Sequence, residues 1–264
     1  MTTSPPIVRD SAGSGRAGAW QAPTLDEHRS PCPALNALAN EGALPRSGRV
    51  TVAQLVEALD ARLGIPPILG AGIAQLAMVR LGEAGPDGVE VLDLARLVKH
   101  GFLEHDASLT RRDARDGDAA QVVPPLVEQL LSFSEDGRTL TLEDLATAHR
   151  VRMAQSATGG HHVPLKAGLL GIFEAALLYQ VFGQGRALAL GDAGELLEKE
   201  QLPAGVGSRR LGLGALLLAT ARLGVMSNLP FSRTATRARE AMKRSVETAA
   251  PGCPFAFLRP VPRS

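Results

Sequence analysis

The stretch TVAQLVEALDARLG, residues 51–64, carries both ends of a helix and the stripe between them. The Thr51 hydroxyl and the Gln54 amide are spaced as a capping box, each side chain within reach of the other residue's backbone N–H. Val52, Leu55, Val56, Leu59 and Leu63 recur on one face, and Gly64 can take the left-handed stop. Outward from this helix the same signals recur at 68–81, 91–99, 142–154, 165–182, 193–200 and 211–223, with long connections around 104–124 and 155–164. No run of alternating β-branched residues competes with them. The sequence therefore predicts an all-α fold, a single compact multi-helix domain over 20–264. Residues 1–19 read as a flexible lead-in, because Pro, Gly, Ser and Ala offer little apolar surface to set against ordering entropy.

The chain has 264 residues, 45% of them hydrophobic, enough to bury a sizeable core. Its 28 basic and 27 acidic residues nearly cancel, and no arginine stripe or basic–aromatic interleaving appears, so nucleic acid is not an expected partner. The longest apolar run, 167–182, reads as too short to span a bilayer and contains Glu174, so no membrane partner is expected either. The N-terminus lacks an apolar signal-like segment, which favours the cytoplasm, or secretion if a signal has been removed. Two cysteines, Cys32 and Cys253, are too few for a disulfide scaffold, which directs attention to their chemistry.

In SPCPALNALANEG, residues 30–42, a cysteine stands between two prolines at the start of a short helix. Pro33 suits the first helical position, where the N–H it lacks would be unpaired anyway. Cys32 then occupies the N-cap, and the amides around Leu35 and the positive end of the helix dipole favour a thiolate. Such a sulfur is a good axial ligand for heme iron, and its electron donation promotes O–O cleavage. A buried structural cysteine and a redox thiol are the alternative readings, the second without a nearby resolving cysteine.

In GFLEHDASLTR, residues 101–111, Glu104, His105, Asp106 and Ser108 crowd into a loop just past an expected helix end. Oxygen donors at this density suit Mg²⁺ or Mn²⁺ better than zinc, and the plain alternative is a solvated polar loop. In AGLLGIFEAALLYQVF, residues 167–182, Glu174 is the only charged residue. Its helical neighbours Leu170, Gly171, Leu177 and Leu178 put the carboxylate on an apolar face. Burial there raises a carboxyl toward the range where it takes and returns protons near neutral pH. The alternatives are that this face borders solvent or that Glu174 pairs with a distant arginine. His161 and His162, in the preceding connection, read as polar surface or as groups at a channel mouth.

Together SPCPALNALANEGALPRSGR at 30–49, FLEHDASLTRRD at 102–113 and FEAALLYQVFG at 173–183 resemble the heme-thiolate peroxidase family of chloroperoxidase and the unspecific peroxygenases. The likeness covers roughly residues 20–185. It implies a chloroperoxidase-like fold enclosing heme b, with Cys32 as proximal ligand. It also implies that Glu104, Ser108 and the His105 carbonyl hold Mg²⁺ or Mn²⁺ against a heme propionate. Glu174 would be the distal acid–base, oriented by the His105 imidazole. The longer peroxygenases have an arginine upstream of that glutamate; none stands one or two turns before Glu174, which is similar to the short subgroup with the Glu-His-Asp motif.

The implied activity is hydrogen-peroxide-dependent oxygenation or oxidation of a small organic substrate through a ferryl intermediate. Halide oxidation at the same site, or heme binding without turnover, are the alternatives. Pairing of Cys253 with a second copy, as in some short members, leaves monomer and homodimer both open. Aromatic residues are only 3% of the chain, a departure from the phenylalanine-lined channels of the peroxygenases.

Overall fold

The computed structural model describes residues 18–248 apart from residue 86. Most of the lead-in and Cys253 lie outside that range. In chain order the elements are α1 (Pro33–Asn40), β1 (Arg49–Val50), α2 (Val52–Leu63), α3 (Pro67–Leu81), β2 (Glu83–Ala84), β3 (Glu90–Asp93), α4 (Pro124–Leu131), β4 (Thr139–Leu140), α5 (Leu142–Ser156), α6 (Leu165–Leu177), β5 (Leu188–Ala189), α7 (Leu190–Glu198), α8 (Leu213–Asn228) and α9 (Arg233–Thr248). The fold is mostly helical, as predicted. The capping box at Thr51 is formed, and Gly64 ends α2 at φ 66°.

Helix α5 is the axis of the fold and packs against α6, α8 and α9. It buries polar as well as apolar residues, among them His149, Arg152 and Gln155. An interior helix that carries buried polar groups toward a loop is positioning them, since each must be hydrogen-bonded to be tolerated there. Helix α6 lies against both α5 and α8 and continues into a π-helical turn, Leu178–Phe182.

Two expectations are corrected. The helix predicted at 91–99 is instead strand β3 followed by a 3₁₀ turn, Leu94–Val98. Val91 and Leu92 pair antiparallel with Glu83 of β2 and Val50 of β1 respectively, and Asp93 caps the turn by accepting the Ala95 amide. Partners distant in sequence override the local helical spacing. The apolar run thought too short to span a bilayer belongs to a helix, Leu165–Phe182, long and apolar enough to cross one by length and composition; 44% of it is buried inside the protein.

Candidate active site

Cys32 is the N-cap of α1, with an extended backbone at φ −83° and ψ 111°, and a proline occupies the first turn. Its thiol makes no formed capping hydrogen bond. Burial pushes the thiol above its ordinary range; the Leu35 and Ala34 amides and the Arg111 charge pull it down, and the Glu174 charge pushes it up. The helix end and its amides favour the thiolate, and burial opposes them. The residue is nevertheless exposed. A soft donor open on one side and fixed in backbone is what a heme iron requires.

The loop after the 3₁₀ turn is organised by buried charge. Glu104, His105, Asp106 and Ser108 are all buried. His100 Nδ1 lies 2.7 Å from Glu104 Oε2, and burial still raises the Glu104 carboxyl against the pull of His100. Burial acts on Asp106 too, but the Ala114 amide, His161 and His100 outweigh it and hold that carboxyl low. Ala107 takes a left-handed φ of 63°, and its amide donates to Asp113 Oδ1 at 2.9 Å. From α5, Arg152 donates Nε to the Ser108 carbonyl at 2.7 Å and Nη2 to Asp113 Oδ1 at 2.9 Å. A buried arginine thus sets where Ser108 stands.

Of the expected cation ligands, Glu104 keeps Oε1 buried without a protein partner, an acceptor that a cation would satisfy. Ser108 instead directs its hydroxyl at Glu174. Among the described residues no group of three or more His, Cys, Asp or Glu side chains is arranged to hold a metal ion. A site of one carboxylate, one hydroxyl and one carbonyl is not of that kind.

Glu174 is half-buried, its side chain 35% exposed, which corrects the expectation of a carboxylate sealed on an apolar face. Helical spacing gives the neighbours above and below a residue, not whether another element covers it. Ser108 Oγ donates toward both carboxylate oxygens, at 3.2 and 3.3 Å, and His105 Nε2 lies 3.7 Å from Oε2. The tautomer follows from the far side of the ring: Nδ1 is 2.9 Å from the Asp106 carbonyl, which only accepts, so Nδ1 carries hydrogen. Any further proton on the ring sits on Nε2, facing Glu174. Carboxylate and imidazole together can therefore hold one exchangeable proton close to Cys32.

The family model described as peroxidase, family 2, matches residues 18–210, which includes all of these groups. The chain belongs to this family. Similar proteins include a dothistromin biosynthesis peroxidase from Dothistroma septosporum, 35% identical over 109 residues, 36% of this chain and 26% of that protein. An aromatic peroxygenase from Cyclocybe aegerita is 32% identical over 145 residues, 49% and 39% of the two chains. A chloroperoxidase from Leptoxyphium fumago is 33% identical over 125 residues, 44% and 34%. The chain thus spans well under half the length of these three relatives.

In this member of the family the Glu174–His105 pair has a neighbour that sequence reasoning missed. His149 of α5 is buried and donates Nε2–H to the Gly168 carbonyl at 3.1 Å. Gly171 makes room for both rings: a Cβ there would fall 2.9 Å from His149 Cδ2 and 3.6 Å from His105 Cε1. The glycine inside an apolar helix was the available signal. A cavity of about 210 Å³ between α5, α6 and α8, bordered by His149, Met153, Leu165, Gly168, Ile172 and Ser227, lies beyond these rings. At about 100° per residue its α6 residues face away from Glu174.

Burial pushes His149 down to about 4, opposed by its bond to the Gly168 carbonyl and helped by the charges of His105 and Arg150. The unfolded chain then binds more protons than the folded one between pH 6.5 and 4. His149 therefore contributes stability that is complete above about pH 6.5 and is lost as pH falls through 4, about 3 kcal/mol in all. Urea unfolding at pH 7 and pH 4.5 should show a smaller acid loss for His149→Gln than for wild type; equal losses would refute the assignment.

Proposed function

We propose that the chain binds heme b through the Cys32 thiolate and uses hydrogen peroxide to oxidise or oxygenate small organic molecules. The observation that carries this reading is the meeting of an exposed cysteine at a helix N-cap with a glutamate whose charge acts on it and which faces an imidazole. Heme held by a thiolate supplies the cleavage of the O–O bond when bound. The chain's own residues supply position and proton movement.

Pro31 and Pro33 restrict the backbone on either side of Cys32, and the amides of Leu35 and Ala34 and the charge of Arg111 favour the deprotonated sulfur. Glu174 would take a proton from one peroxide oxygen and hand it to the other. Ser108 orients its carboxylate, and the His105 ring, fixed through Nδ1 on the Asp106 carbonyl, presents Nε2 to it. Glu104 would be the anionic ligand for Mg²⁺ or Mn²⁺, supported by its unpartnered buried Oε1, with the His105 carbonyl and Ser108 as neutral donors.

The test is the absorption spectrum of heme-loaded protein reduced under carbon monoxide, in wild type and Cys32→Ala. A strongly red-shifted Soret band that the substitution abolishes is expected. A band unshifted in both proteins, or no heme uptake, would remove the reading.

A further inference from the structure

The segment after α7 brings a buried carboxylate to the loop that carries the thiol. Glu200 is 8% exposed and adopts a left-handed backbone at φ 50°, unusual for a residue with a side chain. One of its atoms, Oε1, accepts from Arg111 Nη2 at 2.6 Å and from Asn36 Nδ2 at 2.7 Å. Each donor also grips one flank of Cys32. Arg111 Nε donates to the Pro31 carbonyl at 2.9 Å. Asn36, one turn into α1, accepts the Ser30 amide and donates to the Ser30 carbonyl, both at 2.8 Å. Ser30 Oγ in turn accepts the Cys32 amide at 3.1 Å.

The Glu200 backbone is held as firmly as its side chain. Its carbonyl accepts from Asn40 Nδ2 and Trp20 Nε1, each at 3.1 Å, and two residues on the Leu202 amide donates to Glu41 Oε1 at 2.8 Å. Carboxylate and carbonyl both meet α1 or its flanks, which accounts for the left-handed turn. Prolines fix φ at 31 and 33 but leave ψ of the thiol loop free; the two arms ending on Glu200 remove that freedom. They also keep the buried guanidinium of Arg111 paired, which an interior charge requires.

We propose that Glu200 is a positioning residue for Cys32, fixing both flanks of the thiol loop through Arg111 and Asn36 and so setting where the sulfur points. Its consequence for heme rests on the function proposed above; the lock itself is a property of the chain. Hydrogen exchange of the heme-free chain reads the lock, and the carbon monoxide spectrum of the loaded chain reads its consequence. In Glu200→Ala, amides of Cys32 and 34–36 should exchange at least about tenfold faster, the worth of one of the two charge-assisted hydrogen bonds it loses, while exchange in α5 is unchanged.

The loaded Glu200→Ala protein should show red-shifted and unshifted bands together. Glu200→Gln keeps the acceptor oxygen and should restore both readouts. Wild-type exchange over 32–36 in folded Glu200→Ala would overturn the proposal. Should that variant not fold, Asn36→Ala removes one arm only and must loosen the same amides; wild-type rates there would overturn it equally. Faster exchange with a wild-type spectrum that does not depend on Cys32 would leave the lock standing and remove the heme reading instead.

Discussion

Glu174→Gln should lower peroxide-dependent turnover of a small organic substrate by about 10²- to 10⁴-fold, the usual worth of a positioned acid–base group. Heme content and the carbon monoxide band should stay as in wild type. The substitution keeps the shape of the side chain and an oxygen that can accept from Ser108 Oγ, now 3.2 Å from Oε1. It removes only the capacity to take a proton. His105 keeps its Nδ1–H on the Asp106 carbonyl in either variant. Single-turnover rates would separate the effect from substrate binding. Undiminished turnover would show that the proton moves through another group, and an inactive wild type that binds heme would favour a carrier or sensor over an enzyme.

What was legible in the sequence is what local chemistry dictates. Thr51 and Gln54 define the start of α2, Pro33 the start of α1, and the apolar period the course of α5, α6 and α8. Segment 91–99 was misread because a strand's pairing partners, Val50 and Glu83, are not in its own window. Helix α9 was left out of that reading although its apolar and charged faces separate clearly, with Ala235 and Ala238 buried. The site divides the same way. The N-cap position of Cys32 was readable, whereas the packing that acts on its thiol and the openness around Glu174 depend on elements that meet only in the fold. Glu200, Arg111 and Asn36 converge from three distant segments, and no spacing rule connects them.

Arg152→Met should cost about 3–5 kcal/mol of folding stability, the largest structural loss expected of a single substitution near the site. The guanidinium is buried from every side, and burial alone pulls its pKa down, against the support of Asp113 and more distant carboxylates. Methionine fills similar space but strands the Asp113 carboxylate, 2% exposed, the Ser108 carbonyl and the Gln155 amide oxygen that Arg152 now satisfies. Leaving one member of a buried pair uncompensated costs far more than the pair contributes over an apolar substitute. A double-mutant cycle isolates this: Asp113→Asn with Arg152→Met should lose less than the sum of the single losses in urea unfolding. Because Arg152 holds the Ser108 carbonyl and Ser108 holds Glu174, turnover should fall with stability, even at temperatures where the variant is fully folded. Additive losses of under about 1 kcal/mol would mean that water reaches the pair and that the loop finds its place without the arginine.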